Sequence, residues 1–147
     1  MRLLRGNNII IGTVLTYIIT IFEQYGLIMF TFLIFNVLDW MTGTMKARLL
    51  GKESSIDGLK GVCKKLGYWV LILVAFLVGE NFILIGNNLG IDLSIADYIG
   101  WTTLAMLVVN EARSIIENLV QMDVYVPEVL VKGLEVAQEK IANKNAE

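Results

Sequence analysis

Four carboxylates lie inside, or at the end of, long apolar runs of this 147-residue chain: Glu23, Asp39, Glu80 and Glu111. A charged side chain at the centre of a membrane helix costs about 2.5–3.5 kcal/mol, so such groups usually face protein or water. There they can pair with basic residues of other helices, carry protons, or line a water-filled path. The elements that place these four acids therefore decide what the chain does.

The residues that most catalytic and metal sites require are missing. The chain has no histidine and a single cysteine, Cys63. A His/Cys zinc site, an intrachain disulfide and a histidine-activated nucleophile are thereby excluded. The sequence also contains no glycine-rich phosphate loop and no nucleophile-elbow motif. We predict a non-enzymatic protein with no catalytic residue, metal or cofactor.

The composition is typical of a membrane protein. Hydrophobic residues make up 56% of the chain and charged residues 18%, against about 45–50% and about 25% in soluble domains. The mean hydropathy is +0.65. A small soluble domain has too little interior to bury so much apolar surface. The net charge of −2, from 12 basic and 14 acidic residues, gives no support for a nucleic-acid partner. The predicted class is an all-α integral membrane protein.

Four apolar runs predict transmembrane helices at about residues 8–22, 25–45, 66–86 and 98–116. Together they form a predicted membrane domain over residues 1–122. The remainder, 123–147, is a predicted cytoplasmic tail with a short charged helix after Pro127. The first run follows Arg2 and Arg5, as in a signal peptide, but no small-residue cleavage site follows Phe22. We therefore predict that the first helix is retained.

The distribution of basic residues predicts the orientation. With four spans, the N-terminus, the polar loop 46–65 and the tail lie on one side of the membrane. That side holds all twelve basic residues, with Arg113 counted at the inner end of its span, and the two opposite loops hold none. By the positive-inside rule, both termini are predicted to be cytoplasmic. Cys63 then faces the reducing cytosol and is expected to be a free thiol.

Two of the four acids have basic residues nearby. Asp39 and Glu111 lie in the inner halves of their predicted spans, close to Lys46, Lys65 and Arg113. One interpretation is an ion pair or hydrogen bond between helices that holds the bundle together, because charges inside membranes commonly pair. The other is a polar surface that lines a channel after assembly.

Glu80 lies in the outer half of its span, where the sequence has no basic residue. It is predicted either to be buried in its protonated form or to face water in an oligomer. Gly43 and Ala47 form a small-xxx-small pair, which lets helices approach closely. The predicted assembly or channel-lining residues are Asn36, Asp39, Gly43, Lys46, Glu80, Asn110, Glu111, Ser114, Glu117 and Asn118.

Three blocks of residues, in order, resemble the phage lysis and toxin-secretion holins, a group that includes clostridial prophage holins. The resemblance covers roughly residues 25–134. The first block is similar to D-x-x-T-G-x-x-K-A and consists of Asp39, Thr42, Gly43, Lys46 and Ala47. The middle block is similar to S…G-x-x-G…K-K and consists of Ser54 or Ser55, Gly58, Gly61, Lys64 and Lys65. The last block is similar to N-E-x-x-S-I-x-E-N followed by P-x-x-L and consists of Asn110, Glu111, Ser114, Glu117, Asn118, Pro127 and Leu130.

The resemblance implies a multi-span protein that accumulates in the cytoplasmic membrane of a bacterial host. It implies assembly into a homo-oligomer whose lesions release an endolysin or a large toxin and cause host lysis. The endolysin is expected to be cargo without a required direct contact. Two alternatives stay open. One is a small proton-coupled exporter with Glu23 or Glu80 as the proton carrier. The other is a passive membrane anchor whose partner binds the basic loop.

Arg2 and Arg5 suggest a hypothesis about timing. If lesion formation carries the N-terminus outward, these two charges and the α-amino group move against the membrane potential. The potential opposes this by about 2.3 kcal/mol per charge per 100 mV and would hold the inactive state. The alternative is that both arginines only fix the orientation of the chain.

Overall fold

The computed structural model describes residues 2–143, with side chains at positions 12, 13, 16 and 26–143. Over these residues the chain is helical and contains no strand, which confirms the predicted all-α class. The elements in chain order are α1 (Arg2–Leu49), α2 (Ser55–Leu89), a short 3₁₀ helix (Ser94–Ala96), α3 (Asp97–Val120) and α4 (Glu128–Asn143).

The first two predicted spans differ from what is observed. Residues 8–22 and 25–45 lie on one helix, α1, with no turn between them. The connecting residues 22–25 include no glycine or proline, and glutamate and glutamine are good helix formers, so the backbone hydrogen bonds continue. The four-span topology therefore stays a prediction. The side chains of Arg2, Arg5 and Glu23 lie outside the described residues.

The predicted polar loop 46–65 is mostly helical. Gly51 supplies the turn between α1 and α2 with a φ of +64°, a conformation that glycine adopts without steric cost. The backbone N–H of Lys52 donates to the carbonyl of Ala47 at 2.9 Å. Ser54 then caps α2, because its hydroxyl accepts the Asp57 N–H at 3.2 Å. The non-helical connection between α1 and α2 is thus only a few residues long.

A second short turn joins α2 to α3. Gly90, with a φ of +70°, ends α2, and its N–H donates to the carbonyl of Gly86. The backbone N–H of Ser94 donates to Oδ1 of Asp92 at 2.9 Å. This hydrogen bond lowers the pKa of the Asp92 carboxyl. The turn therefore carries a charge that favours contact with water.

The chain divides between Ile34 and Phe35 into two compact units. In the second unit, α2 packs along α3 and the 3₁₀ helix, and α4 packs on α3. Glycines allow α2 to approach the 3₁₀ helix and α3 closely. A Cβ atom at Gly79 would lie 2.6 Å from the carbonyl oxygen of Ala96, and one at Gly100 would overlap the ring of Phe76. These contacts fix the register of α2 against α3.

Two helices in the described part of the chain are long and apolar enough to cross a membrane: Gly26–Leu49 within α1, and Ser55–Leu89, which is α2. Only 11% and 22% of their most apolar windows are buried, whereas a core helix of a soluble protein is mostly buried. Lipid is the solvent that suits such exposed apolar surface. The predicted span 98–116 is not among these two helices, because Asn110, Glu111 and Arg113 make it less apolar.

Candidate functional site

Lys65 of α2 lies between two carboxylates from different helices. Its Nζ is 2.9 Å from Oδ2 of Asp39 on α1 and also donates to Oε2 of Glu111 on α3. The three side chains are largely buried, with exposed fractions of 15% for Lys65, 17% for Asp39 and 3% for Glu111. The predicted ion pair between helices is therefore present, and Lys65 is its basic member.

Asn118 of α3 completes this arrangement. Its Nδ2 donates to Oδ1 of Asp39 at 3.0 Å and to the hydroxyl of Thr42 at 3.3 Å. Both oxygens of the Asp39 carboxylate are thus engaged, one by an ammonium and one by an amide. A buried charge is stable only when its hydrogen bonds are made. We call Asp39, Thr42, Lys65, Glu111 and Asn118 the polar cluster.

The polar cluster carries two carboxylates and one ammonium, so its formal charge is −1. A second cation lies next to it in sequence: the Nζ of Lys64 is 5.7 Å from the centre of the Tyr68 ring. The Tyr68 hydroxyl accepts a hydrogen bond from Nδ2 of Asn110 at 3.3 Å. Lys64 and Asn110 are exposed. A cationic and polar surface therefore borders the buried negative cluster.

A cleft of about 610 Å³ opens beside the polar cluster. Its walls come from the end of α1, the turn after it, the first turns of α2, and α3. All three sequence blocks contribute to these walls: Asp39, Gly43, Gly58, Lys65, Ser114 and Asn118. Blocks that are far apart along the chain thus meet at one place in the fold. The cleft is open and lined by both signs of charge, which suits water.

Gly43 faces α3 of the same chain. A Cβ atom at this position would lie 3.6 Å from Nδ2 of Asn118, an ordinary van der Waals contact. Gly43 therefore lies against the Asn118 side chain within one molecule, and the close helix approach predicted from Gly43 and Ala47 stays a prediction. A role for Gly43 in contacts between molecules stays a prediction.

Arg113 does not join the polar cluster. Its Nη1 donates to Oε1 of Gln138 at 2.7 Å, so Arg113 links α3 to α4. Its Nη2 is 3.7 Å from Oε1 of Glu117 on its own helix. Asn36 is buried, with an exposed fraction of 5%, and Lys46 is half-buried. The predicted site residues thus separate into a group held inside the chain and a group on its surface.

Glu80 belongs to the surface group. It is exposed on α2, and no side chain in the described part of the chain forms an ion pair or hydrogen bond with it. The neighbouring Asn81 donates to the carbonyl of Leu77 on its own helix at 2.7 Å. A buried position for Glu80 within a single molecule is therefore not observed, and its role in an oligomer stays a prediction.

Two residues of the polar cluster, Thr42 and Lys65, were not among the predicted site residues. Both belong to the sequence blocks that resemble the holins, so their positions in those blocks were an available signal. A threonine in a membrane helix commonly donates its hydroxyl to a carbonyl of its own helix, as Thr42 does to Leu38 at 2.9 Å. A threonine inside a span therefore does not by itself indicate a partner on another helix. The contact of Thr42 with Asn118 becomes visible only in three dimensions.

Comparison with known proteins identifies the family. A sequence model of the bacteriophage holin family matches residues 13–139. An uncharacterized protein of Listeria monocytogenes is 36% identical over 110 residues, covering 75% of this chain and 71% of its own. An uncharacterized protein of Clostridium perfringens is 29% identical over 137 residues, covering 93% and 89%. No solved structure matches the chain. Because the matched residues include most of the chain and the whole polar cluster, this protein belongs to the bacteriophage holin family.

Proposed function

We propose that this protein is a multi-pass holin of the bacterial cytoplasmic membrane. It oligomerises there and forms lesions through which a cell-wall hydrolase, or a large toxin, leaves the cytoplasm. Host-cell lysis follows. The family match over residues 13–139 is the observation that carries the proposal. The two exposed apolar helices support it, because they need lipid or other copies of the chain around them.

The geometry suggests how assembly proceeds. The carboxylates of Asp39 and Glu111 are paired inside one molecule and are largely buried while the polar cluster is intact. Glu80, Asn110 and Glu117 are exposed. We propose that the exposed group makes the first contacts between copies or with water. The polar cluster then joins the lesion wall only when its three helices separate. Cargo passes by size, so direct contact with the endolysin is not required.

The first prediction concerns release of a folded enzyme. When the protein is induced together with a cytosolic muralytic enzyme, the culture should lyse abruptly once the protein reaches a threshold level. Membrane potential should collapse at the same moment, because a lesion wide enough for a folded protein also conducts ions. Optical density and a potential-sensitive dye measure the two events.

The enzyme alone and the holin alone are the controls, and neither should give the abrupt fall in optical density. An exporter would change small-molecule traffic without releasing the enzyme, and a passive anchor would do neither. Continued growth of cells that hold both proteins, with this chain present in the membrane fraction, would contradict the proposal.

The second prediction concerns topology. Cys63 should resist an impermeant thiol reagent in intact cells, because the basic segment around it is proposed to be cytoplasmic. In a Cys63→Ser background, Asn88→Cys should react, since the turn after α2 is proposed to face outward. Asn7→Cys tests the N-terminus. If the cysteine at position 7 is protected, the N-terminus is cytoplasmic, as a four-span topology requires. If it reacts, the N-terminus is outside the cell, as expected when α1 crosses the membrane once.

Reaction of Cys63 together with protection of Asn88→Cys would reverse the proposed orientation. The timing role proposed for Arg2 and Arg5 depends on the same measurement. It requires an N-terminus that begins in the cytoplasm, so reaction of Asn7→Cys before lysis would remove it.

A further inference from the structure

A row of exposed side chains runs almost the full length of α2. It starts at Ile56, continues in alternating steps of three and four residues through Cys63, Leu66 and Glu80, and ends at Asn87. Every side chain in this row is exposed, and its isoleucine, leucine and valine members have exposed fractions of 48–68%. We call this row the α2 seam.

Among the residues whose side chains the structure describes, none packs against the α2 seam. The buried residues of α2 are Ile72, Ala75, Gly79 and Gly86, which lie about 100° or more around the helix from the nearest seam residues. That side carries the contacts with α3 and the 3₁₀ helix. The seam is therefore available to another molecule.

The spacing of the seam is that of a left-handed helix pair. Alternating steps of three and four residues give an average of 3.5, which keeps one stripe facing a partner helix. One of the two rows holds Leu59, Leu66, Leu73, Glu80 and Asn87, and the other holds Ile56, Cys63, Val70, Leu77 and Leu84. Seven of these ten residues are aliphatic, which suits packing against a partner helix.

Contact with lipid alone does not satisfy the residues at the two ends of the seam. A membrane crossing needs about 20 residues, and α2 has 35. Its first turns contain Asp57, Lys60 and Lys64, so they lie outside the hydrocarbon. There Ile56 and Leu59, with exposed fractions of 68% and 65%, would face water. Towards the other end, Glu80 would present a carboxyl group to hydrocarbon, which is costly.

We infer that α2 pairs along this seam with α2 of a second copy of this chain. All copies enter the membrane with the same orientation, so the two helices are parallel and each seam residue meets its counterpart. The two Glu80 side chains then lie in the interface between the helices rather than facing lipid. The apolar residues of the first turns are buried against each other. This inference rests on the proposed self-assembly and names the surface that begins it.

The single cysteine of the chain is a seam residue, which allows a direct test. Membranes containing the full chain are oxidised with copper phenanthroline and run on a non-reducing gel. Cys63 should give a covalent dimer, because a disulfide forms only when the two Cα atoms come within about 7 Å. The yield should persist when the membranes are fused with excess lipid, since dilution suppresses random collisions and not a stable pair.

Adjacent positions provide a matched comparison in a Cys63→Ser background. Leu66→Cys lies on the seam, and Gly67→Cys lies about 100° around the helix from it. Position 67 is exposed and an added Cβ atom meets nothing within 4 Å, so that variant can fold. We expect cross-linking at 66 to be at least about tenfold faster than at 67. Equal rates at the two positions, or no dimer at either position, would overturn the inference.

The lysis assay keeps this result separate from the proposed function. Abrupt lysis without cross-linking along the seam would mean that another surface assembles the lesion, and the inference would fail while the holin proposal stood. Seam cross-linking in cells that keep their membrane potential at every level of induction would leave the pairing in place and reject the proposed function.

Discussion

Lys65→Met should lower the free energy of unfolding by about 3–5 kcal/mol, the range seen when one member of a buried ion pair is removed. Methionine keeps most of the volume of the side chain and removes its charge. Asp39 and Glu111, with side chains only 17% and 3% exposed, are then left as uncompensated acids close to each other. The measurement is denaturant unfolding of the purified chain in detergent micelles, followed by circular dichroism.

Lys64→Met is the matched control. Lys64 is the neighbouring residue, but it is exposed: its ammonium group lies over the Tyr68 ring and has only a longer-range attraction to Asp39 and Glu111. We expect its loss to cost about 0.5–1 kcal/mol. Adding Glu111→Gln to Lys65→Met should recover part of the stability, because one uncompensated charge disappears. Equal effects of Lys65→Met and Lys64→Met would show that the polar cluster does not stabilise the chain.

Gly79→Ala should destabilise the chain by about 1–3 kcal/mol, as overpacking commonly does. The added methyl group would lie 2.6 Å from the carbonyl oxygen of Ala96, a backbone atom that can move only if the 3₁₀ helix shifts away from α2. The same unfolding measurement in micelles reports the change.

Gly67→Ala makes the identical substitution twelve residues earlier on the same helix. No atom lies within 4 Å of the position that its Cβ would take. Alanine is the better helix former, so this variant should gain up to about 1 kcal/mol. The two substitutions are thus expected to have opposite signs. A loss of stability in both would mean that the helix itself, and not the contact with Ala96, disfavours alanine.

The polar cluster shows how far sequence reasoning reaches. The acids Asp39 and Glu111 stood out because a charge inside an apolar run needs a partner. Three basic residues are candidates because the predicted topology places them at the same inner side of the membrane, and helix geometry separates them. Lys46 lies two turns from Asp39 on the same helix, about 10 Å along its axis. Arg113 is two residues from Glu111 and points to a different face. Lys65 alone lies on a helix that carries neither of the two acids.

The division of the chain into helices was less predictable, because hydropathy and backbone continuity are different properties. Residues 22–25 interrupt an apolar run without interrupting a helix, so α1 continues where two spans were expected. Residues 55–65 are polar and helical, so α2 begins earlier than its apolar run. The pattern of Ser54 followed by Asp57 resembles an N-terminal capping box and was a readable sign of that start.

The α2 seam could not be recognised from the sequence. In a membrane helix most positions are apolar, so a period of 3.5 residues does not stand out from its background. The contacts of Gly79 and Gly86 with the segment before α3, and of Phe76 with Gly100, show which side of α2 is already covered. The side of α2 that stays uncovered can then be identified as a candidate surface for contact with another molecule.

The length of α2 also bears on the kind of membrane in which the protein can work. Thirty-five residues form a helix roughly 52 Å long at about 1.5 Å per residue, whereas the hydrocarbon layer is about 30 Å thick. Asp57, Lys60 and Lys64 keep the first turns of this helix outside the hydrocarbon, so the helix meets a thicker or thinner bilayer by tilting, at a cost of only fractions of a kcal/mol per Å. Bilayer thickness, which sorts many membrane proteins between compartments and hosts, is therefore a weak constraint on where this chain accumulates.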